Sequence, residues 1–266
     1  MGKLLPQVAR AELFPDRTAI ADAAGVHTYR ELLDQSRAFA QRLLDGCRDL
    51  EESRVAFLVP PGFPYPVVQW GIWQAGGIAV PLGLGHPLPE LEYVLQDSGA
   101  AVLVADGERE AELHTLARRL NLRFLPASAP LPPPADLPPL GVNRRAQILY
   151  TSGTTSRPKG VVTTHRNLQA QMEALIAAWE WAPVDRILHV LPLHHIHGIL
   201  NVLGCALGSG ATCEFLHPFD PVAVWQRFAA GDEELTSPAG RPAPVSLFMA
   251  VPTLYSRLIA AWEAAG

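Results

Sequence analysis

Apolar and polar positions fall along this chain in blocks of two periods. Thr28 is followed three residues later by Glu31, then by Leu32, Leu33, Ala40, Leu43 and Leu44 at helical spacing, with Gly46 just past the end. That pattern predicts a capping box, an amphipathic helix and a glycine stop. Unbroken apolar runs of strand length follow at 55–59, 78–82 and 100–104, separated by helix-like segments around 67–75 and 88–96. Such alternation predicts βαβ units and a mostly parallel sheet, whose strands are covered on both faces and so read as continuous apolar runs. Residues 126–141, PASAPLPPPADLPPLG, lack the backbone donors a sheet needs and favour extended polyproline conformation. A surface connection is expected there, joining a first α/β lobe at 1–125 to a second at 142–266. Alternation resumes with strands expected at 147–151, 187–191, 212–216 and 245–251 and helices at 167–179, 199–207 and 221–229, while 231–244 is polar, rich in breakers and expected to be an exposed loop.

Composition narrows the function classes. Of 266 residues 48% are apolar and 18% charged, which suits a buried core and not a disordered chain. The 21 Lys and Arg against 26 Asp and Glu leave a net charge of −5, which argues against a nucleic-acid or anionic-membrane binder. The longest apolar stretch, 199–207, is interrupted by Asn201 and falls well short of the ~20 residues of a membrane-spanning helix, so no integral membrane segment is expected. Cys47, Cys205 and Cys213 are odd in number and lack CxxC spacing, which fits a reducing compartment better than a disulfide framework or a zinc ribbon. The N-terminal residues carry Glu12 and Asp16 without a continuous apolar core and read poorly as a targeting segment, so a cytoplasmic location is expected, with the mitochondrial matrix as the alternative.

The candidate chemistry concentrates in two places. Residues 150–160, YTSGTTSRPKG, follow an expected strand and offer five hydroxyls (Thr151, Ser152, Thr154, Thr155, Ser156), backbone N–H groups freed by Gly153, and two cations, Arg157 and Lys159, which suits a polyphosphate. A Ser/Thr-rich surface turn accounts for SGTT alone but not for the whole string. It is not a Walker A loop, because Pro158 precedes Lys159 and Gly160 follows it. His194, His195 and His197 have three readings. At i, i+2 on a strand, His195 and His197 would share one face as metal ligands, yet no Cys, Asp or Glu lies nearby to complete a site. The imidazoles also suit strand-end caps on backbone carbonyls, or a substrate pocket. Trp70, Trp73, Trp179, Trp181 and Trp225 read as core or interface packing, and Arg257, which follows VPTLYS, as a solvated helix arginine, with reach to an acid group as the alternative.

The 150–160 string closely resembles the phosphate-binding signature of the adenylate-forming (AMP-binding) superfamily. Three further segments resemble that superfamily in its order: HTYRELL at 27–33, WQAGGIAVPLGLGHP at 73–87 and LPLHHIHG at 191–198. The wording ILHVLPLHHIHGILNVL and FMAVPTLYSRL is most similar to malonyl-CoA and methylmalonyl-CoA synthetases. The resemblance implies part of the large N-terminal α/β domain of an ATP-dependent carboxylate–CoA ligase, with the C-terminal domain absent. It implies ATP, Mg2+ and CoA, and a small carboxylic acid as substrate, malonate preferred and another medium-chain or aryl acid as the alternative. Carried over to this chain, Thr151, Ser152, Gly153, Thr154, Thr155, Ser156, Arg157, Pro158, Lys159 and Gly160 would hold the nucleotide. Lys159 and His195 would be catalytic, His195 and His197 would meet the acid, and no residue is assigned to a metal. Ser156 stands where most relatives have Gly, and the family's later motifs, among them YGxTE and the C-terminal lysine, are not found. The expected consequences are a fragment inactive alone and an exposed apolar edge. The rivals are a non-catalytic nucleotide-binding fragment or isoform, and a metal-dependent hydrolase built on the histidines.

Overall fold

Strand pairing ignores the proline-rich segment as a boundary. The computed structural model describes residues 5–133, 136–151, 157–229 and 244–265. In chain order, α1 (Pro6–Ala9) leads to β1 (Thr18–Asp22), β2 (Gly25–Thr28), α2 (Tyr29–Leu44), β3 (Arg54–Leu58), α3 (Pro64–Gln74), β4 (Ile78–Pro81) and α4 (Leu88–Ser98). Next come β5 (Val102–Ala105), α5 (Glu110–Arg119), β6 (Arg123–Pro126), β7 (Arg145–Thr151), β8 (Lys159–Thr164), α6 (His165–Ala178) and β9 (Arg186–His189). A π-helical segment (His197–Gly204) then runs into α7 (Cys205–Ser209), followed by β10 (Thr212–Phe215), α8 (Pro221–Ala229), β11 (Leu247–Phe248) and α9 (Pro252–Ala265).

One sheet has the order β6-β5-β3-β4-β7-β8 and the other β11-β9-β10-β1-β2. Every pairing is parallel except β7 with β8 and β1 with β2, so the expected α/β architecture with mostly parallel sheets is what the chain adopts. The expected lobes at 1–125 and 142–266 are not what the strands follow. Strands β7 and β8 complete the sheet begun by β3, and β1 pairs with β10, Ile20 opposite Cys213. Between β6 and β7 the described residues form no helix or strand. That connection lies along α2, where the Arg42 guanidinium donates to the Pro126 and Ala129 carbonyls and Gln41 to that of Asp136. The loop expected at 231–244 lies, up to residue 243, outside the described residues. The strand expected at 245–251 is only the two residues of β11.

The capping box forms as expected: the Thr28 hydroxyl accepts from Glu31 N–H and the Glu31 carboxylate from Thr28 N–H. The helix stops through Asp45 in the left-handed region, with Gly46 also at positive φ. Helices α2 and α3 close tightly because residue 71 is glycine; a Cβ there would lie 2.7 Å from Phe39 Cδ1. Trp70, Trp73 and Trp181 are buried as expected, and Trp225 is bonded to the Leu258 carbonyl of α9, whereas Trp179 is exposed. Val161 and Val162 on the edge strand β8, and Tyr255, Ile259 and Trp262 on helix α9, are exposed. No helix among the described residues is long and apolar enough to cross a membrane.

Candidate active site

Parallel strands deliver all their carboxyl ends to one side of a sheet, and in open α/β sheets ligands bind in the crevice there. Here the segments after β3, β4, β9, β10 and β11 from both sheets surround a cavity of about 420 Å³, with Val59, Leu82, Leu191, His194, Phe219 and Leu254 in its lining. Its size and mostly apolar wall with a few polar groups suit a small organic ligand.

The histidine segment does not have the geometry assumed for it. Strand β9 ends at His189, so His195 and His197 do not share a strand face; 190–195 is irregular chain with a turn and bends, Ile196 is already helical, and His197 opens the π-helical segment. The cavity lining includes His194, and neither His195 nor His197. His195 is exposed beside it, the two rings 4.0 Å apart. His86, from the loop before α4, packs edge-on against His194 at 4.8 Å. Burial, with the neighbouring His195 and His86, pushes the His194 imidazole down to about 4, and burial also lowers His195. At neutral pH both are therefore uncharged rings that donate and accept hydrogen bonds.

Three buried contacts fix this segment. Leu191 N–H donates to His189 Nδ1 at 3.2 Å, so the neutral His189 carries its proton on Nε2 and donates to the Gly198 carbonyl at 2.9 Å. The Tyr65 hydroxyl donates to the Leu193 carbonyl at 2.6 Å. A Cβ on Gly198 would stand 2.5 Å from the Pro192 carbonyl oxygen, which explains glycine at the end of HHIHG. Capping by imidazole thus exists here, performed by His189, which sequence reasoning did not single out. Its signal is a lone histidine within the apolar run ILHVL.

Strand β7 lies parallel beside β4 and brings Thr151 to the same carboxyl edge. Ser152, Gly153, Thr154, Thr155 and Ser156 lie outside the described residues. The chain returns through Arg157 and Pro158 into β8, where Lys159 pairs with Thr151 and Gly160 with Tyr150. A Cβ on Gly160 would lie 2.8 Å from Ile148 Cγ2. Among the described residues Lys159 makes no ion pair, and Arg157 lies over the Tyr93 ring.

Residues 8–265 match the family described as AMP-binding enzyme. The chain belongs to that family. Malonate–CoA ligase ACSF3, mitochondrial, from Homo sapiens is 43% identical over 266 residues, covering 96% of this chain and 45% of the relative. The protein of that description from Xenopus laevis is 42% identical over 278 residues, covering 99% and 46%. The ATP-bound crystal structure of MatB from Rhodopseudomonas palustris matches with a TM-score of 0.82 at 27% identity, covering 97% of this chain and 51% of that one. The chain spans about half the length of the relatives it matches.

For this AMP-binding enzyme chain, two further placements matter. Exposed Arg257 of α9 stands with its guanidinium 4.7 Å from the ring of Phe219, which lines the cavity; Arg257 itself is not in that lining. No three His, Cys, Asp or Glu side chains among the described residues are arranged to hold a metal ion.

Proposed function

We propose that this chain provides the N-terminal half of the active site of an ATP-dependent malonate–CoA ligase. One observation carries the reading: β4 and β7 are parallel neighbours, so the histidine-lined cavity and the stems of the phosphate loop open at the same edge of one sheet. An acid in the cavity and a triphosphate on the loop would lie side by side. In the first step a carboxylate oxygen attacks the α-phosphorus of ATP, the bond to the β-phosphate bridging oxygen breaks, and pyrophosphate leaves. The CoA sulfur then attacks the acyl carbon, AMP leaves with its oxygen, and the thiol proton passes to solvent. Adenylation thereby turns a poor leaving group into a good one.

In this reading residues 151–160 hold the β- and γ-phosphates and Lys159 offsets their charge. Neutral His194 and His195 orient the reacting carboxylate by hydrogen bonding, with His197 supporting His195 from the first turn of its helix. Arg257, stacked on the cavity residue Phe219, would be the cation to meet the second carboxylate of malonate, which supports a dicarboxylate over an aryl acid. Mg2+ carried on the triphosphate would supply charge neutralisation there. The relatives' names carry the word mitochondrial, which favours the mitochondrial matrix over the cytoplasm.

The test is ATP–pyrophosphate exchange by the complete reading frame with malonate, succinate, acetate and an aryl acid, alongside ATP binding to this chain alone. Exchange is expected with malonate above the others, and ATP binding without exchange from the chain alone. Exchange led by an aryl acid removes malonate. ATP binding without exchange on any acid, even in the complete frame, leaves the non-catalytic reading in its place.

A further inference from the structure

We infer that Tyr93 and Asp97 of α4 are positioning residues for the phosphate loop, holding its exit and entry stems against one helix. The inference deepens the proposed function, since it rests on that loop being the phosphate site. Residues four apart share a helix face. From that face, the Tyr93 hydroxyl donates to the Pro158 carbonyl at 3.0 Å, on the exit side. The Arg157 guanidinium lies 5.5 Å from the Tyr93 ring centre, within cation–π range. On the entry side Tyr150 donates its hydroxyl to Asp97 Oδ2 at 2.7 Å. The Tyr93 and Tyr150 rings meet edge to face, 6.4 Å apart, and close the gap between the two contacts. Burial and the adjacent carboxylate hold the Tyr150 hydroxyl above its usual range, so it stays a donor throughout the physiological range.

Stems that are held in place before the ligand arrives lower the ordering cost of binding it. Drawing Arg157 back over Tyr93 also leaves Lys159, on the next strand, as the cation nearer the pairing with Thr151. The loop that leads into α4 carries His86, which packs on His194. The helix and the loop before it therefore contact both half-sites.

The experiment uses this chain with Tyr93→Phe, Asp97→Ala and Asp97→Asn. Two readouts run beside the thermal midpoint: ATP affinity by calorimetry, and amide hydrogen exchange at Lys159 and Gly160. Tyr93→Phe and Asp97→Ala are each expected to weaken ATP about five-fold, the worth of one net hydrogen bond, and to speed exchange at both amides, with the midpoint nearly unmoved. Asp97→Asn keeps an acceptor for Tyr150 and should recover most of both. Unchanged affinity and exchange in Tyr93→Phe and Asp97→Ala, or losses that follow the midpoint alone, overturn the inference. If the unmodified chain binds no ATP, the proposed phosphate site fails, and the amide readout still decides whether α4 holds the stems.

Discussion

Acidification from pH 7.5 to 5 is expected to destabilise this fold through two histidines that have no access to water. His165 opens α6 with its ring edge-on to Trp73 at 5.9 Å and its Nδ1 2.6 Å from the Gln7 amide nitrogen. His189 closes the histidine segment through both ring nitrogens. Each is 2% exposed, and burial pushes each imidazole down from 6.5 to about 4. With the native value depressed, the unfolded chain binds more protons throughout pH 6.5 to 4. The stabilisation is therefore complete above 6.5 and is lost as pH falls toward 4. A shift of that size corresponds to about 3 kcal/mol per ring when fully expressed, and about 2 kcal/mol at pH 5.

The two rings share no partner, so their effects add to about 4 kcal/mol at pH 5, a large part of the roughly 5–15 kcal/mol of a typical fold. Urea denaturation should show the midpoint falling by roughly 1 M between pH 7.5 and 5. Glu52, whose carboxyl is held below 4.5 by hydrogen bonding to Arg145, loses its contribution only at lower pH, so the two windows separate. His165→Asn keeps an acceptor for Gln7 and removes one titration while those of His189 and His194 remain, so its pH dependence should be clearly smaller than that of the unmodified chain. A wild-type midpoint that is flat from pH 7.5 to 5, or a variant as acid-sensitive as wild type, refutes the reasoning.

Gly198→Ala sets a Cβ against the Pro192 carbonyl and should cost about 1–3 kcal/mol by thermal denaturation. In the complete reading frame it should raise the malonate KM with little effect on that for ATP; a KM that stays level would detach the segment from acid binding. Arg257→Gln should raise the malonate KM about ten-fold and leave acetate-dependent exchange alone, and an equal effect on both acids would assign Arg257 to packing on Phe219. Ser156→Gly, which introduces the residue the family resemblance implies for that position, should tighten ATP binding about five-fold. Equal affinities by calorimetry would show that position 156 tolerates a side chain.

What the sequence disclosed and what it hid divide by the range of the interaction. Runs such as 55–59 and 78–82 announce strands because both faces of a parallel strand are covered, and Thr28 with Glu31 announces a helix start because the cap is made within one turn. The pairing of β1 with β10 leaves no such trace: TAIAD is short, and its partner lies near the other end of the chain. The lobes were therefore drawn where composition changes, although the strands interleave across that point. Strand β8 was hidden differently, since KGVVTT continues the phosphate string and its exposed valines carry no alternation. The assignment of His195 to the substrate pocket rests on the resemblance of LPLHHIHG alone; strand β9 stops at His189, and the turn after it puts His194 in the cavity lining and leaves His195 beside it. Residue type identified the chemistry, imidazole next to a hydroxyl-rich loop. Which imidazole faces the cavity was set by where β9 ends, and that end is held by His189, Gly198 and Tyr65 from outside the five residues of LPLHH.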